Sequence, residues 1–473
     1  MQSTRRSTGA VVALLGSLAL LTFAIGCSGG SQAGTTSTTP LSAVQMKIGD
    51  APADSVLVFE LNIASASLQP QNGNPVSVLS APAEIELAHL SGTLEPLALA
   101  NVAPGTYTGA SIAVSNAEVT YIPAGSSTPV SKQVALNQTV NLTFNPVLNV
   151  GSGSSVINLD MNLAQSLTFD SSGNLTGVSP VFTASTVSVP AGGEQGEDEE
   201  HGQLEDSVGQ VTATTAAAGT ALASFTITPA MNGQPLTFQV NSSTHFEDGL
   251  AQFSDLKANM MVKVDAVTQS DGSLLATKVE LVEASDGMEA EGVVTQTTGN
   301  PATSFQLVVQ DGSGSGMASS TLGTTVTVNV GSAAFRTPLS NSDDSNLLSG
   351  LPFTPTFDAT TVAKGQSVEA DAMGPMASAG TLNASRIQLR RQALSGTVGA
   401  AATGSNATFS LLLDADSAFV KLTGVTSINV YQVSKTVLKG VSSVAPGSQV
   451  KVRGLLFFDG TQYQFVAGTI ASH

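Results

Sequence analysis

Tryptophan is absent, cysteine occurs once and histidine only four times in 473 residues. Charged residues make up 11% of the chain and aromatics 5%, against a usual charged share of about 25%. A single cysteine excludes a disulfide framework and any cysteine-cluster metal centre. With 17 basic against 35 acidic residues the net charge is −18, and Tyr occurs four times (Tyr107, Tyr121, Tyr431, Tyr463). Nucleic-acid binding needs a basic groove and stacking rings, so no nucleic-acid partner is expected. The chain contains no P-loop, Gly-x-Gly-x-x-Gly fingerprint or His-Glu-x-x-His helix. What is present is a 41% hydrophobic fraction, enough for real cores, with 46 Gly and 20 Pro to punctuate it. The length suits three or four domains of about 100–200 residues each.

The amino terminus reads as a targeting segment. Arg5 and Arg6 precede an apolar run from Val11 to Ile25 that ends at Gly26-Cys27, the order of a signal peptide over residues 1–26. The lone cysteine after Ala24-Ile25-Gly26 resembles a bacterial lipobox, although Ala24 stands where Leu is commonest. That resemblance implies acylation of Cys27, which would become the first residue of an exported, membrane-anchored lipoprotein. Several acyl chains anchor firmly, at about 0.8 kcal/mol per buried CH₂. Ser28, in place of Asp, is similar to the outer-membrane sorting signal of Gram-negative lipoproteins. Residues 27–42 lack an apolar pattern and read as a tether with a coil dimension of about 20 Å.

The rest reads as all-β. Period-two apolar segments recur, as in Val44-Met46-Ile48, Val56-Val58, Ile112-Val114, Val326-Val328-Val330 and Val450-Val452. Turn-rich stretches such as Gln71-Asn72-Gly73-Asn74 and Asp459-Gly460 separate them. The pattern predicts an antiparallel β-sandwich over residues 43–191, followed by three small β-barrel-like repeats. In the first unit, Ile48-Gly49-Asp50-Ala51-Pro52 stands near the start and Ala103-Pro104-Gly105-Thr106-Tyr107 in the middle. The second motif is a structural device: Pro fixes φ and Gly takes the left-handed position, delivering Tyr107 into a strand. Together they resemble the family known as domain of unknown function 4382, which implies a secreted sandwich and no borrowed activity. Asp50 reads as an Asx-turn capping a strand end in preference to a ligand. Residues 192–207 carry seven acidic residues within GGEQGEDEEHGQLED and predict a solvated linker without EF-hand spacing.

Beyond the linker the chain repeats. Gly209-Gln210-Val211, Gly292-Val293-Val294 and Gly396-Thr397-Val398 align as openings. Phe225-Thr226-Ile227, Phe305-Gln306-Leu307 and Phe409-Ser410-Leu411 follow, with the Phe residues expected in the core. A later strand recurs at Asn259–Val264, Gly365–Ala370 and Gly447–Val452. The repeats span 208–285, 290–392 and 394–473, the second lengthened at Gly312–Leu322 and Arg336–Thr361. This pattern resembles the family known as domain of unknown function 5666, which implies tandem OB-like barrels in exported bacterial proteins.

No catalytic residue, cofactor site or metal ligand emerges. His89 and His245 lie in different units, His245 at a strand edge; His201 falls in the acidic run and His473 ends the sequence. Asp343-Asp344 read as an exposed loop, and Arg386 with Arg390-Arg391 as a solvated patch between units. The expected function is an exported, lipid-anchored, non-catalytic scaffold or binding module of the cell envelope, not an enzyme. Its partners are the membrane, through Cys27, and an envelope protein or polysaccharide met by the insertions and inter-barrel loops. The alternatives are an extracellular polysaccharide binder and a hydrolase with an unrecognised site.

Overall fold

Alternating apolar residues give each strand one face to bury, and Gly-, Asn- and Pro-rich turns return the chain, so sheet follows rather than helix. The computed structural model describes residues 41–51, 54–90, 94–151, 155–188, 203–229, 235–247, 249–269, 273–282, 288–314, 321–337, 348–372, 380–401, 408–441 and 443–472. Among them no helix is long and apolar enough to cross a membrane.

The first unit contains β1 (Ser42–Ala51), β2 (Val56–Pro70), β3 (Val76–Ser77), β4 (Ala83–Glu86), β5 (Leu94–Val102), β6 (Gly105–Tyr121), β7 (Val130–Val150), β8 (Ser155–Asn162), β9 (Leu167–Phe169), β10 (Leu175–Val178) and β11 (Phe182–Ser188). One sheet runs β11-β8-β1-β5; the other runs β3-β2-β6-β7 with β4 also on β2. Pairing is antiparallel except for β1 beside β8, which run parallel from Val44↔Ser155 to Ala51↔Asn162. Met46, Ile48, Phe59, Leu61, Ile112 and Ile157 fill the space between the sheets, each at most 1% exposed. Tyr107 is buried, and its hydroxyl donates to the Ala103 carbonyl at 2.9 Å, a tyrosine corner. Gly105 opens β6 at φ 158°, a positive value that residues with a side chain rarely adopt. Tyr107→Phe removes only that hydrogen bond, so a loss of about 1 kcal/mol is expected in urea unfolding. An unchanged midpoint would show that the corner contributes nothing.

Three barrels follow. The first has β12 (Gln203–Thr215), β13 (Ala223–Pro229), β14 (Leu236–Val240), β15 (His245–Glu247), β16 (Met261–Thr268) and β17 (Leu274–Val282). The second has β18 (Met288–Thr298), β19 (Ser304–Gly314), β20 (Thr325–Asn329), β21 (Ala334–Arg336), β22 (Ser367–Ala372) and β23 (Thr381–Leu389). The third has β24 (Arg391–Ala401), β25 (Thr408–Leu413), β26 (Ser427–Lys439), β27 (Gln449–Phe458) and β28 (Tyr463–Ser472). It closes in the order β24-β25-β26-β28-β27. The first two follow the same circuit, closed by the parallel pairs β14–β17 and β20–β23, the counterparts of β26–β28. In the third, β26 is continuous where the earlier copies are split into β14 plus β15 and β20 plus β21. The repeated Phe-x-aliphatic strands line the cores: Phe225, Ile227, Phe305, Leu307, Phe409 and Leu411 are all buried.

Two boundaries differ from the sequence reading. The final residues of the acidic 192–207 run are strand, not linker: β12 begins at Gln203, and Leu204 is buried opposite Ala266. One apolar side chain in register with a barrel strand outweighs the local charge. Arg391 and Gln392, assigned to the second repeat, open β24 of the third.

The four units pack against one another within one compact body. Leu57 and Val58 of β2 break the alternation because both faces are covered. They cluster with Ile122, Val308 of β19, and Ala418 and Leu422 of the Ala418–Thr423 helix. The Asp54 carbonyl accepts from Ala418 N at 2.5 Å, its carboxylate accepts from Ser395 N at 2.6 Å, and Gln310 Nε2 donates to the Leu57 carbonyl at 2.6 Å. The described part of the Arg336–Thr361 insertion is not a free loop. Phe357 is buried in a core shared with Val433, Leu455, Phe457 and Val466 of the third barrel, and the Phe353 ring lies 4.9 Å from that of Tyr431.

Candidate functional site

The outer face of the second barrel carries a ladder of charge set by strand register. Residues two apart in a strand share a face, so Glu289 and Glu291 of β18 point the same way, as do Glu369 and Asp371 of β22. Glu289 is aligned with Asp371, Glu291 with Glu369, and Glu291 also with Asp311 of β19. Arg386 of β23 is aligned with Asp371. Like charges placed opposite one another destabilise a sheet unless cations intervene, and here they do. Lys263 of β16 reaches over from the first barrel, its Nζ 3.3 Å from Glu369 Oε2 and 3.5 Å from Glu289 Oε1. Arg386 pairs with Asp371 and lies 3.6 Å from Glu369. Arg390 lies 2.9 Å from Glu291 and 3.5 Å from Glu369.

Among the described residues, oxygens of Glu289, Glu369 and Asp371 come within 4.8 Å of one another, and all three residues are buried. The positive charges among them belong to the chain's own Lys263 and Arg386. Burial raises Glu289 to about 8; Lys263 pulls it down, while Glu369, Asp371 and Asp311 push it up. Burial, reinforced by Glu369, raises Asp371 to about 6 against the opposing pull of Arg386.

A second charged group stands at the edge of the same ladder, in the sandwich. The Glu86 carboxylate is buried and accepts from Phe59 N at 2.7 Å, Ala88 N at 2.9 Å, His89 N at 2.8 Å and His89 Nδ1 at 2.7 Å. His89 Nε2 lies 3.2 Å from Glu95 Oε1, so both ring nitrogens face carboxylates. Burial alone would lower the His89 pKa; the bonds and charges of Glu86 and Glu95 outweigh it and hold it well above the ordinary value. Burial raises Asp311 to about 6, with His89 pulling down and Glu95 and Glu291 pushing up. A cavity of about 90 Å³ opens here between sandwich, second and third barrels, with His89, Asp54, Glu291, Gln310, Arg391 and Gln392 among its lining. Its polar groups are largely committed already: Gln310 to Leu57, Asp54 to Ser395, Glu291 to Arg390, and Gln392 to Ser367 and Gly365. The chemistry on offer is joining units and exchanging protons.

The residues singled out in the sequence are dispersed. Cys27, His201, His473 and Asp343-Asp344 lie outside the described residues, as does most of the acidic run. Asp50 is the penultimate residue of β1, aligned with Met161, and its side chain also lies outside them. His245 is exposed in β15. All four tyrosines are buried and offer no stacking platform. The arginine patch is corrected: Arg386 and Arg390 are ion-paired in the ladder, because neighbouring units cover the face that the sequence suggested was solvated. Lys263, Glu289, Glu369 and Asp371 were missed, although Val262-Lys263-Val264-Asp265 and Val368-Glu369-Ala370-Asp371 carry the signal, with charge in strict alternation with core.

Fold and site define an all-β protein of tandem small β-barrels joined in part through buried charge. Residues 208–280, most of the first barrel, match the family described as Domain of unknown function (DUF5666). No curated protein matches the chain significantly.

Proposed function

We propose that this is an exported, lipid-anchored protein of the bacterial cell envelope that acts as a non-catalytic scaffold or binding module. In this reading Cys27 carries the acyl anchor, residues 27–42 are the tether, and the sandwich is of the kind known as domain of unknown function 4382. The second and third barrels are further copies of the first. The observation that carries the reading is the packing of Leu57 and Val58, Val308, and Ala418 and Leu422 into one apolar cluster. Units welded in this way hold their outer surfaces at fixed spacing, which is what a scaffold requires, whereas beads on a flexible string would need no such cluster.

Cys27→Ala is expected to move the protein from the membrane fraction almost wholly into the soluble fraction, because acyl burial is the only strong membrane attraction in this reading. Retention on membranes at high salt would overturn the anchor. In-cell cross-linking followed by mass spectrometry should then capture a defined envelope protein with the native chain and lose it with Cys27→Ala. Turnover on a panel of esters, peptides and glycans would overturn the non-catalytic assignment.

A further inference from the structure

The turn between β2 and β3 reads Gln71-Asn72-Gly73-Asn74-Pro75, and all five residues are exposed. The Gln71 N–H donates to the Thr106 carbonyl at 2.8 Å, and the ladder resumes where Val76 is aligned with Leu68. Between those two fixed points Asn72 and Gly73 form no hydrogen bond with any described residue. Gly73 sits at φ 107°, and a Cβ built there would meet nothing within 4 Å. The Asn72 amide carbon is thus followed by a main-chain nitrogen that no side chain shields and no acceptor holds.

The peptide Leu61–Glu84 contains Asn62, Asn72 and Asn74, and chemistry separates them. Asn62 lies within β2, its Oδ1 accepts from Ser115 Oγ at 2.7 Å, and the next residue, Ile63, is buried and β-branched. Asn74 precedes Pro75, which has no N–H to give up. Of the three, Asn72 combines an unbound amide with an accessible N–H next in the chain. In the first barrel Asn241 precedes the small Ser242, but its Oδ1 is held by Ser243 N at 2.8 Å.

We propose that Asn72 is a self-modification site, at which the chain exchanges a side-chain amide for a carboxylate. Gly73 N attacks Asn72 Cγ; the N–Cγ bond forms, the Cγ–Nδ2 bond breaks, and Nδ2 leaves as ammonia with the proton that Gly73 gives up. Water then opens the cyclic imide at one of its two carbonyls. Opening at Cγ restores the backbone and leaves aspartate. Opening at the main-chain carbonyl leaves isoaspartate, whose backbone runs through Cβ and Cγ and is one atom longer. No oxidant, reductant or metal takes part. Either product adds one negative charge to a chain of net charge −18. The Gln71–Thr106 bond and the β3 pairing confine the extra atom to an exposed turn, where changes in chain length are best tolerated.

The test ages the full chain carrying Cys27→Ala in mildly alkaline buffer, cleaves it after glutamate and follows Leu61–Glu84 by mass spectrometry. The amide-to-acid mass gain is expected at Asn72, as two separable products of which a protease that cleaves before aspartate cuts only one. The attacking nitrogen must lose its proton, so the rate should rise about tenfold for each pH unit. Asn72→Gln must close a larger, less favourable ring and should lower the rate at least about tenfold. That substitution falls on an exposed residue and leaves the sandwich core intact. Asn241 should convert more slowly than Asn72. A native Asn72 that stays intact over the period in which the same chain in urea converts it overturns the proposal, because the turn would then protect the residue. A gain located at Asn62 or Asn74 instead, or one undiminished in Asn72→Gln, overturns it equally.

Discussion

Glu86→Gln is expected to cost about 3–5 kcal/mol in equilibrium unfolding, the range for removing one partner of a buried ion pair. The carboxylate is surrounded entirely by donors: Phe59 N, Ala88 N, His89 N and His89 Nδ1, all within 2.9 Å. An amide has one oxygen to offer them and turns two N–H groups of its own toward at least one donor. At the same time, the His89 imidazolium loses its closest counter-charge in a buried site. Volume hardly changes, so packing does not compensate. Glu95→Gln is the control, since that side chain is 36% exposed and its contact is 3.2 Å, so about 1 kcal/mol or less is expected. The His89 pKa should fall in the Glu86→Gln chain, read by proton NMR of the imidazole. Because His89 is raised on folding, its contribution is full below the unfolded value of 6.5 and fades as pH rises through the folded one, so the gap between native and variant chains should narrow at alkaline pH. A Glu86→Gln loss as small as that of Glu95→Gln would mean that the buried carboxylate holds nothing together.

The architecture was legible because its determinants are local. Val44-Met46-Ile48, Ile112-Val114, Val326-Val328 and Val450-Val452 all turn their apolar side chains inward. The later strand that recurs at Asn259–Val264, Gly365–Ala370 and Gly447–Val452 lies in β16, β22 and β27, each paired with the strand that follows it in its ring. The charged joint was not legible, because alternation gives only one side of the answer. It says that Lys263, Glu289, Glu369 and Asp371 point away from their own barrel cores; it cannot say that another unit lies on that side. The same blindness affected the second insertion, whose polar composition suggested a free surface while Phe353 and Phe357 bridge two barrels. Leu57 beside Val58 was the available warning: two consecutive apolar residues in a strand mean two covered faces.

Gly292→Ala separates a structural reading of the repeat openings from a functional one. A Cβ at this position would stand 1.9 Å from the Val308 carbonyl oxygen and 2.8 Å from its carbon. Those are backbone atoms of β19, which cannot rotate away as a side-chain tip would. The register between β18 and β19 slips at this point: Glu291 opposes Asp311, Gly292 opposes Val309, and Gln310 is the extra residue. That bulge presents Gln310 to the Leu57 carbonyl of the sandwich, so the close approach of two strands also fixes a contact between units. Two effects of Ala oppose each other. Reduced freedom in the unfolded chain favours it by about 0.5–1 kcal/mol, while displacing a paired backbone costs about 3 kcal/mol or more. Sterics wins, and a net loss of at least about 2 kcal/mol is expected. Gly396 repeats the situation, with its Cβ 2.2 Å from the Leu412 oxygen. Gly177 in β10 has nothing within 4 Å and should accept Ala within about 0.5 kcal/mol. If Gly292→Ala and Gly177→Ala unfold alike, the opening glycine is not needed for strand approach, and its recurrence at Gly209, Gly292 and Gly396 would have to come from something these units do rather than from how they are built.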